Sequence, residues 1–126
     1  MPEITASSAV LLVTDVAASA NYFRDCAGFA YKEIYGDPPD FCICSRDGHY
    51  LMLAQVEPAR VAPYWKIRGK MFNAYFWVDD ADALYEEMKS MGAKMDYGPC
   101  NQPYGVREFG IQDLDGNDIS FGQVLR

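Results

Sequence analysis

Asn73, Tyr75 and Trp77 alternate along one apolar segment, so their side chains share one face of a predicted β-strand. Two planar rings placed this way can stack on a flat molecule or attract a cation through their faces. The same pair could equally pack against another protein surface. Alternation puts Glu108, Gln112 and Ser120 on the same face of later strands, and Tyr50 and Met52 on the matching face of an earlier one. A carboxylate on such a face needs a partner. For Glu108 that is either a cationic ligand or water, because Arg107 points to the opposite face. Tyr64, Trp65 and Tyr104 lie in predicted loops from which they could close over a ligand.

Other catalytic chemistry is thinly represented. Cys42 and Cys44 share a strand face, but Cys26, Cys42, Cys44 and Cys100 have neither zinc-type nor disulfide-framework spacing. Cys42 and Cys44 read as two small, reduced, half-buried residues. His49, the sole histidine, follows a hairpin glycine and reads as a solvated turn residue. There is no glycine-rich phosphate loop and no nucleophile elbow. Most other carboxylates flank helices or turns, where capping accounts for them.

The formal charge of −7, from 18 acidic and 11 basic residues, disfavours a nucleic-acid partner and suits a cationic one. No apolar run approaches membrane-spanning length, and Met1-Pro2-Glu3 does not open a signal peptide, so a soluble cytoplasmic protein is expected.

The elements that must position these residues come in two copies. Phe41 aligns without a gap on Phe109, Ile43 on Ile111, Asp47-Gly48 on Asp115-Gly116 and Gln55 on Gln123. Upstream, Asp15 and Gly28 match Asp79 and Gly92. A period of half the chain implies two copies of one supersecondary module rather than a solenoid. In the first copy, Ala9–Thr14 is a strand, Asp15 a helix N-cap and Gly28 the helix stop. Asp47-Gly48 suits a tight hairpin turn. In the second copy, Asn73–Val78 is the strand, Asp79-Asp80 the cap, Gly92 the stop, and Asp115-Gly116 turns the hairpin.

The expected fold is α+β: two tandem βαβββ modules forming a curved mixed sheet with the helices on its outer face. It makes one domain over residues 1–126, with modules at about 5–56 and 72–126 and a connector at 57–71. The helix-facing set is predicted to be Leu51, Leu53, Phe41, Ile43, Ala74, Phe76, Val78, Phe109, Ile111, Ile119 and Phe121. Ser8, Val10 and Leu12 join the mixed, opposite face.

These duplicated modules open on Leu11-Leu12-Val13-Thr14-Asp15 and close on Arg107-Glu108-Phe109 and Asp115-Gly116-Asn117-Asp118-Ile119-Ser120-Phe121. They resemble the vicinal oxygen chelate superfamily of glyoxalases, extradiol dioxygenases, fosfomycin-resistance transferases and bleomycin-resistance proteins. The resemblance implies a metal bound by His, Glu or Gln in the enzymes. It places the corresponding positions on Ser8, Met52, Asn73 and Ser120, which supply no imidazole and no carboxylate. The expectation is therefore a metal-free, cofactor-free homodimer that sequesters a planar or cationic small molecule such as an antibiotic. Tyr50, Met52, Tyr64, Trp65, Asn73, Tyr75, Trp77, Tyr104, Glu108, Gln112 and Ser120 would line its site. The alternative is a metal-dependent lyase, isomerase or dioxygenase.

Overall fold

The computed structural model describes residues 1–126. In the first module, strand β1 (Ser8–Val13) leads into helix α1 (Val16–Ala27), followed by β2 (Ala30–Tyr35), β3 (Phe41–Arg46) and β4 (His49–Gln55). A 3-10 turn (Pro58–Arg60) and a single-turn helix α2 (Tyr64–Ile67) occupy the connector. The second module repeats the order with β5 (Ala74–Trp77), α3 (Ala81–Ser90), β6 (Lys94–Gln102), β7 (Val106–Gln112) and β8 (Asp118–Val124). Each module forms its own four-stranded mixed sheet, in the order β1-β4-β3-β2 and β5-β8-β7-β6. The first and last strands of each module pair in parallel; the other pairings are antiparallel.

The repeat has a structural cause, although the residue equivalent to Asp15 is Asp80, one beyond its sequence match Asp79. Asp15 and Asp80 cap their helices, each accepting a hydrogen bond at 3.0 Å from the backbone N–H three residues on. The repeated glutamines serve the same two helix ends. Gln55 accepts from Val16 N–H and Gln123 from Ala81 N–H, both at 2.9 Å. Each module thus satisfies the first exposed N–H of its helix from its last strand. Gly28 ends α1 in the left-handed region, at φ +73°, with its N–H returned to Phe23 O.

The two hairpins differ. Asp47 and Gly48 both have positive φ, as the tight turn requires. In the second hairpin, Asp113 to Asn117 form a longer loop built on the buried Asp113 carboxylate. It accepts from Asp115 N–H, Asn117 N–H and Asn117 Nδ2. The spared Asp115 carboxylate reaches back to the first module, where Thr14 Oγ1 donates to it at 2.7 Å. Asn117 Nδ2 bonds Leu12 O, Tyr22 Oη donates to Gln112 O at 2.6 Å, and Arg46 forks onto Glu87 at 2.7 and 3.2 Å. These ties and one continuous apolar core, containing Leu11, Phe23, Leu51, Leu53, Met88, Phe109 and Phe121, join the modules.

The helix-facing set holds for Leu51, Leu53, Ala74, Phe109, Ile111, Ile119 and Phe121, all buried, and Phe76 and Val78 pack against the same core. It fails on β3. Cys42 and Cys44 are the fully buried residues there, and Phe41, Ile43 and Ser45 turn to the other face opposite Ala54, Met52 and Tyr50. The large apolar residues of this strand sit on the face away from α1, and the small thiols fit under the helix. The cysteines are thus core residues rather than half-buried ones, and burial pushes the Cys44 thiol up to about 12.

Candidate functional site

The face of the second sheet that turns away from the helices carries a polar cluster spanning all four strands. Its centre is Glu108, only 3% exposed. Tyr75 Oη donates to Glu108 Oε1 at 2.8 Å, and Tyr104 Oη donates to the same oxygen at 2.7 Å. Tyr97 Oη donates to Oε2 at 2.6 Å and Gln102 Nε2 at 3.3 Å. Four donors therefore fill the four lone-pair positions of the carboxylate. Ser120 Oγ lies 2.9 Å from Tyr97 Oη. Because the Tyr97 proton is committed to Glu108, Ser120 is the donor of that bond.

The strands make room for this arrangement with two glycines. Gly122 pairs with Glu108 across β7 and β8, and a Cβ on it would fall inside the Tyr75 phenol oxygen. A Cβ on Gly110 would likewise collide with the edge of the Tyr97 ring. Both phenols lie over bare backbone. Burial and the neighbouring Glu108 charge push the Tyr75 and Tyr97 hydroxyls well above the ordinary phenol range. The same two causes push Tyr104 up to about 12.

This geometry supplies the partner that the sequence left open: protein hydroxyls and an amide bond the Glu108 carboxylate. Arg107 does alternate to the opposite face, where its guanidinium bonds Asp82 at 3.0 Å. Tyr97 and Gln102 were not anticipated as members. Both lie on β6, whose two register shifts and internal Gly98-Pro99 obscure its alternation.

Tyr75 links the cluster to an aromatic platform. Its ring centroid lies 4.8 Å from that of Phe72 and 5.0 Å from that of Trp77. Trp77 is 64% exposed, unusual for a large aromatic within a strand. With Tyr50, these two rings line a cleft of about 780 Å³ between the module edges, where β1 lies beside β5. Phe29, Phe76, Leu84 and Met88 form its apolar floor, and Asp47, Asp79, Asp80 and Glu87 stand on its rim with Arg46 and His49. Arg46 is engaged by Glu87 and by Ala27 O, and a 3.6 Å approach to Asp47 adds a further contact. The rim consequently has a surplus of negative charge.

Other expected site residues lie elsewhere. Asn73 holds the connector: its Oδ1 accepts from Tyr64 N–H and its Nδ2 donates to Ala62 O. Trp65 is pinned by Nε1 donating to Gly116 O at 2.7 Å, with Lys66 over its ring. Gln112 is on the predicted face, beside Asp118, its strand partner across β7 and β8. Met52 lines a separate hollow with Ile43, Tyr50 and Ser8. The structure thus brings together Tyr75, Tyr104, Glu108 and Ser120 in the cluster, and Tyr50, Tyr75 and Trp77 at the cleft.

The four positions matching the superfamily's metal ligands do not suit one. Ser8 Oγ donates to Ala9 O, Asn73 is committed to the connector, Ser120 to Tyr97, and Met52 offers only a thioether. No three His, Cys, Asp or Glu side chains converge anywhere in the chain. His49 is exposed at the start of β4.

Paired βαβββ modules, with the aromatic and polar residues gathered on the face away from the helices, define the class of fold. Residues 5–121 match the family model for the Glyoxalase/Bleomycin resistance protein/Dioxygenase superfamily, and the chain belongs to that superfamily. Among solved structures it is similar to the bleomycin-binding protein of bleomycin-producing Streptomyces verticillus, determined with copper(II)-bleomycin. The two are 28% identical over 96% of this chain and 97% of that one, with a TM-score of 0.69. TnmS3, an antibiotic-binding protein from Streptomyces sp. CB03234, is 21% identical over 98% of both chains, at a TM-score of 0.73. A glyoxalase-related enzyme from Clostridium phytofermentans is 15% identical over 98% of both, at 0.78. The last two show the fold alone. No curated protein sequence matches the chain. No helix is long and apolar enough to cross a membrane.

Proposed function

We propose that this protein binds and sequesters a planar, cationic small molecule without a metal or other cofactor. The observation that carries the reading is Trp77, an indole left largely in solvent on a strand, backed by Tyr75 at the mouth of an acidic cleft. The cleft volume lies within the range that takes a drug-sized ligand. Trp77 and Tyr50 would flank the ligand, and the rim carboxylates Asp47 and Asp79 would favour positive charge. The similarity to a bleomycin-binding protein supports an antibiotic as the ligand class. The free cysteines favour a reducing, cytoplasmic setting.

A second copy of the chain is the proposed partner. Val10 and Leu12 are exposed on the open face of the first sheet, beside half-buried Ile43 and Met52. Such a contiguous apolar face suits burial in a twofold dimer.

The test is a fluorescence titration in a Trp65→Phe background, which leaves Trp77 as the only indole. Planar aromatic cations should quench or shift it at micromolar concentration, their neutral isosteres more weakly. Trp77→Ala, followed by calorimetry, should weaken both about tenfold or more. Absence of binding below millimolar for every cation would remove the proposal.

A further inference from the structure

The Glu108 cluster holds a buried negative charge with no positive charge against it. Its nearest candidate, Arg107, is turned away and occupied by Asp82 and Asn101. Four neutral donors hold the carboxylate instead, and they are not equivalent. Tyr75 is wedged over Gly122 and between Phe72 and Trp77; Tyr97 lies over Gly110 with Ser120 behind it. Gln102 is half-buried on β6. Tyr104 differs from all three. It is 59% exposed, sits in the short turn Pro103–Gly105 between β6 and β7, and makes none of the aromatic ring contacts that fix Tyr75. Its hydroxyl bond to Glu108 Oε1 is its tether to the sheet.

We infer that Glu108 Oε1, beneath the Tyr104 ring, is a concealed subsite for an amidinium, guanidinium or primary ammonium group, and that the Tyr104 hydroxyl is its resident stand-in. Exchanging that one phenol for a cationic donor keeps the other three bonds in place. It also adds the charge compensation that the phenols cannot supply. A neutral donor gains nothing, since it replaces one neutral hydrogen bond with another. The subsite adjoins the aromatic platform: Trp77 pairs with Gly122, and Gly122 with Glu108. Two strand spacings, roughly 10 Å, therefore separate the indole position from the carboxylate position. A ligand stacked on Trp77 reaches Glu108 with a cationic head about that far from its body. The subsite rests on the reading of Trp77 as a ligand platform and gives it a ligand shape, a flat body with a terminal cation.

The test uses 4-phenylbenzamidinium and its neutral counterpart 4-phenylbenzamide, titrated by calorimetry into the wild-type protein and Tyr104→Phe. Removing the hydroxyl should tighten the amidinium about tenfold, the worth of one competing bond to a charged group, and leave the amide unchanged. Adding Glu108→Gln to Tyr104→Phe should abolish that gain. If the double variant does not fold, the Tyr104 ring carbon signals in the wild type decide. They should shift on adding the amidinium and stay put with the amide. Equal or weaker amidinium binding by Tyr104→Phe overturns the subsite while leaving the platform intact. Failure of both compounds to bind either protein removes the platform, and the subsite with it.

Discussion

Gly122 is the space into which the Tyr75 phenol fits. A Cβ at this glycine would overlap the phenol oxygen, and the strand pairing leaves neither residue room to step aside. Gly122→Ala should therefore push Tyr75 off Glu108 and destabilise the fold by about 1–3 kcal/mol, as overpacking does. Tyr75→Phe removes the nearest of the colliding atoms, so the double variant should lose less than the sum of the two single losses. Urea unfolding of the four proteins measures the coupling, and strict additivity would show that the two positions do not share the space.

The same cluster makes the tyrosines titrate unevenly. The Tyr104 phenol is pushed up to about 12, and Tyr75 and Tyr97 are raised as well, by burial and by Glu108. Phenols raised in the folded state contribute stability that is complete below their unfolded value near 10 and is lost as pH climbs through their folded values. Absorbance titration near 295 nm should show that these members of the chain's 9 tyrosines ionise late, together with alkaline unfolding. Glu108→Gln removes the charge and should move that transition toward pH 10. Early, independent ionisation of all the tyrosines would mean that the Glu108 bonds do not persist in solution.

Period-two alternation placed Tyr75, Trp77, Glu108 and Ser120 on one face, and the structure keeps them there because β5, β7 and β8 pair in unbroken register. Alternation was silent about what meets that face. Tyr97 approaches from a bulged strand and Tyr104 from a turn, where side-chain direction no longer follows residue count. On β3 the phase came out inverted, since Phe41 and Ile43 are as apolar as Cys42 and Cys44 and only packing under α1 separates the two pairs. The repeat was legible for a deeper reason. Gln55 and Gln123 each cap a helix, and that local hydrogen-bond need recurs wherever the module does.

If a second copy covers the first sheet, light scattering at micromolar concentration should return twice the chain mass of 14.2 kDa. Leu12→Lys places a charge in the exposed row of Val10 and Leu12. It should shift the mass toward the monomer while leaving the chain folded, because Leu12 faces away from the helix-packed core. A wild-type monomer would place this face elsewhere in the protein's work.

Asp118 should make the protein more stable in mild acid than its other carboxylates would allow. It is 7% exposed, and its Oδ1 has no hydrogen-bond partner. Burial first, and then the proximity of Asp96 and Asp113, push its carboxyl up to about 6; the neighbouring Gln112 amide offsets only part of this. A carboxyl raised in the folded state favours folding fully below its unfolded value near 3.9, and that contribution is lost as pH rises through about 6. At neutral pH the charged group therefore works against the fold. Asp118→Asn removes the charge and offers Asp96 a donor, so it should raise stability at pH 7.5 by ~1–2 kcal/mol. Near pH 4 the gain should shrink toward zero, because the wild-type carboxyl is already protonated in the folded state. Parallel denaturant melts at pH 7.5 and pH 4 measure the difference. A gain of the same size at both pH values would assign the effect to packing rather than to the proton.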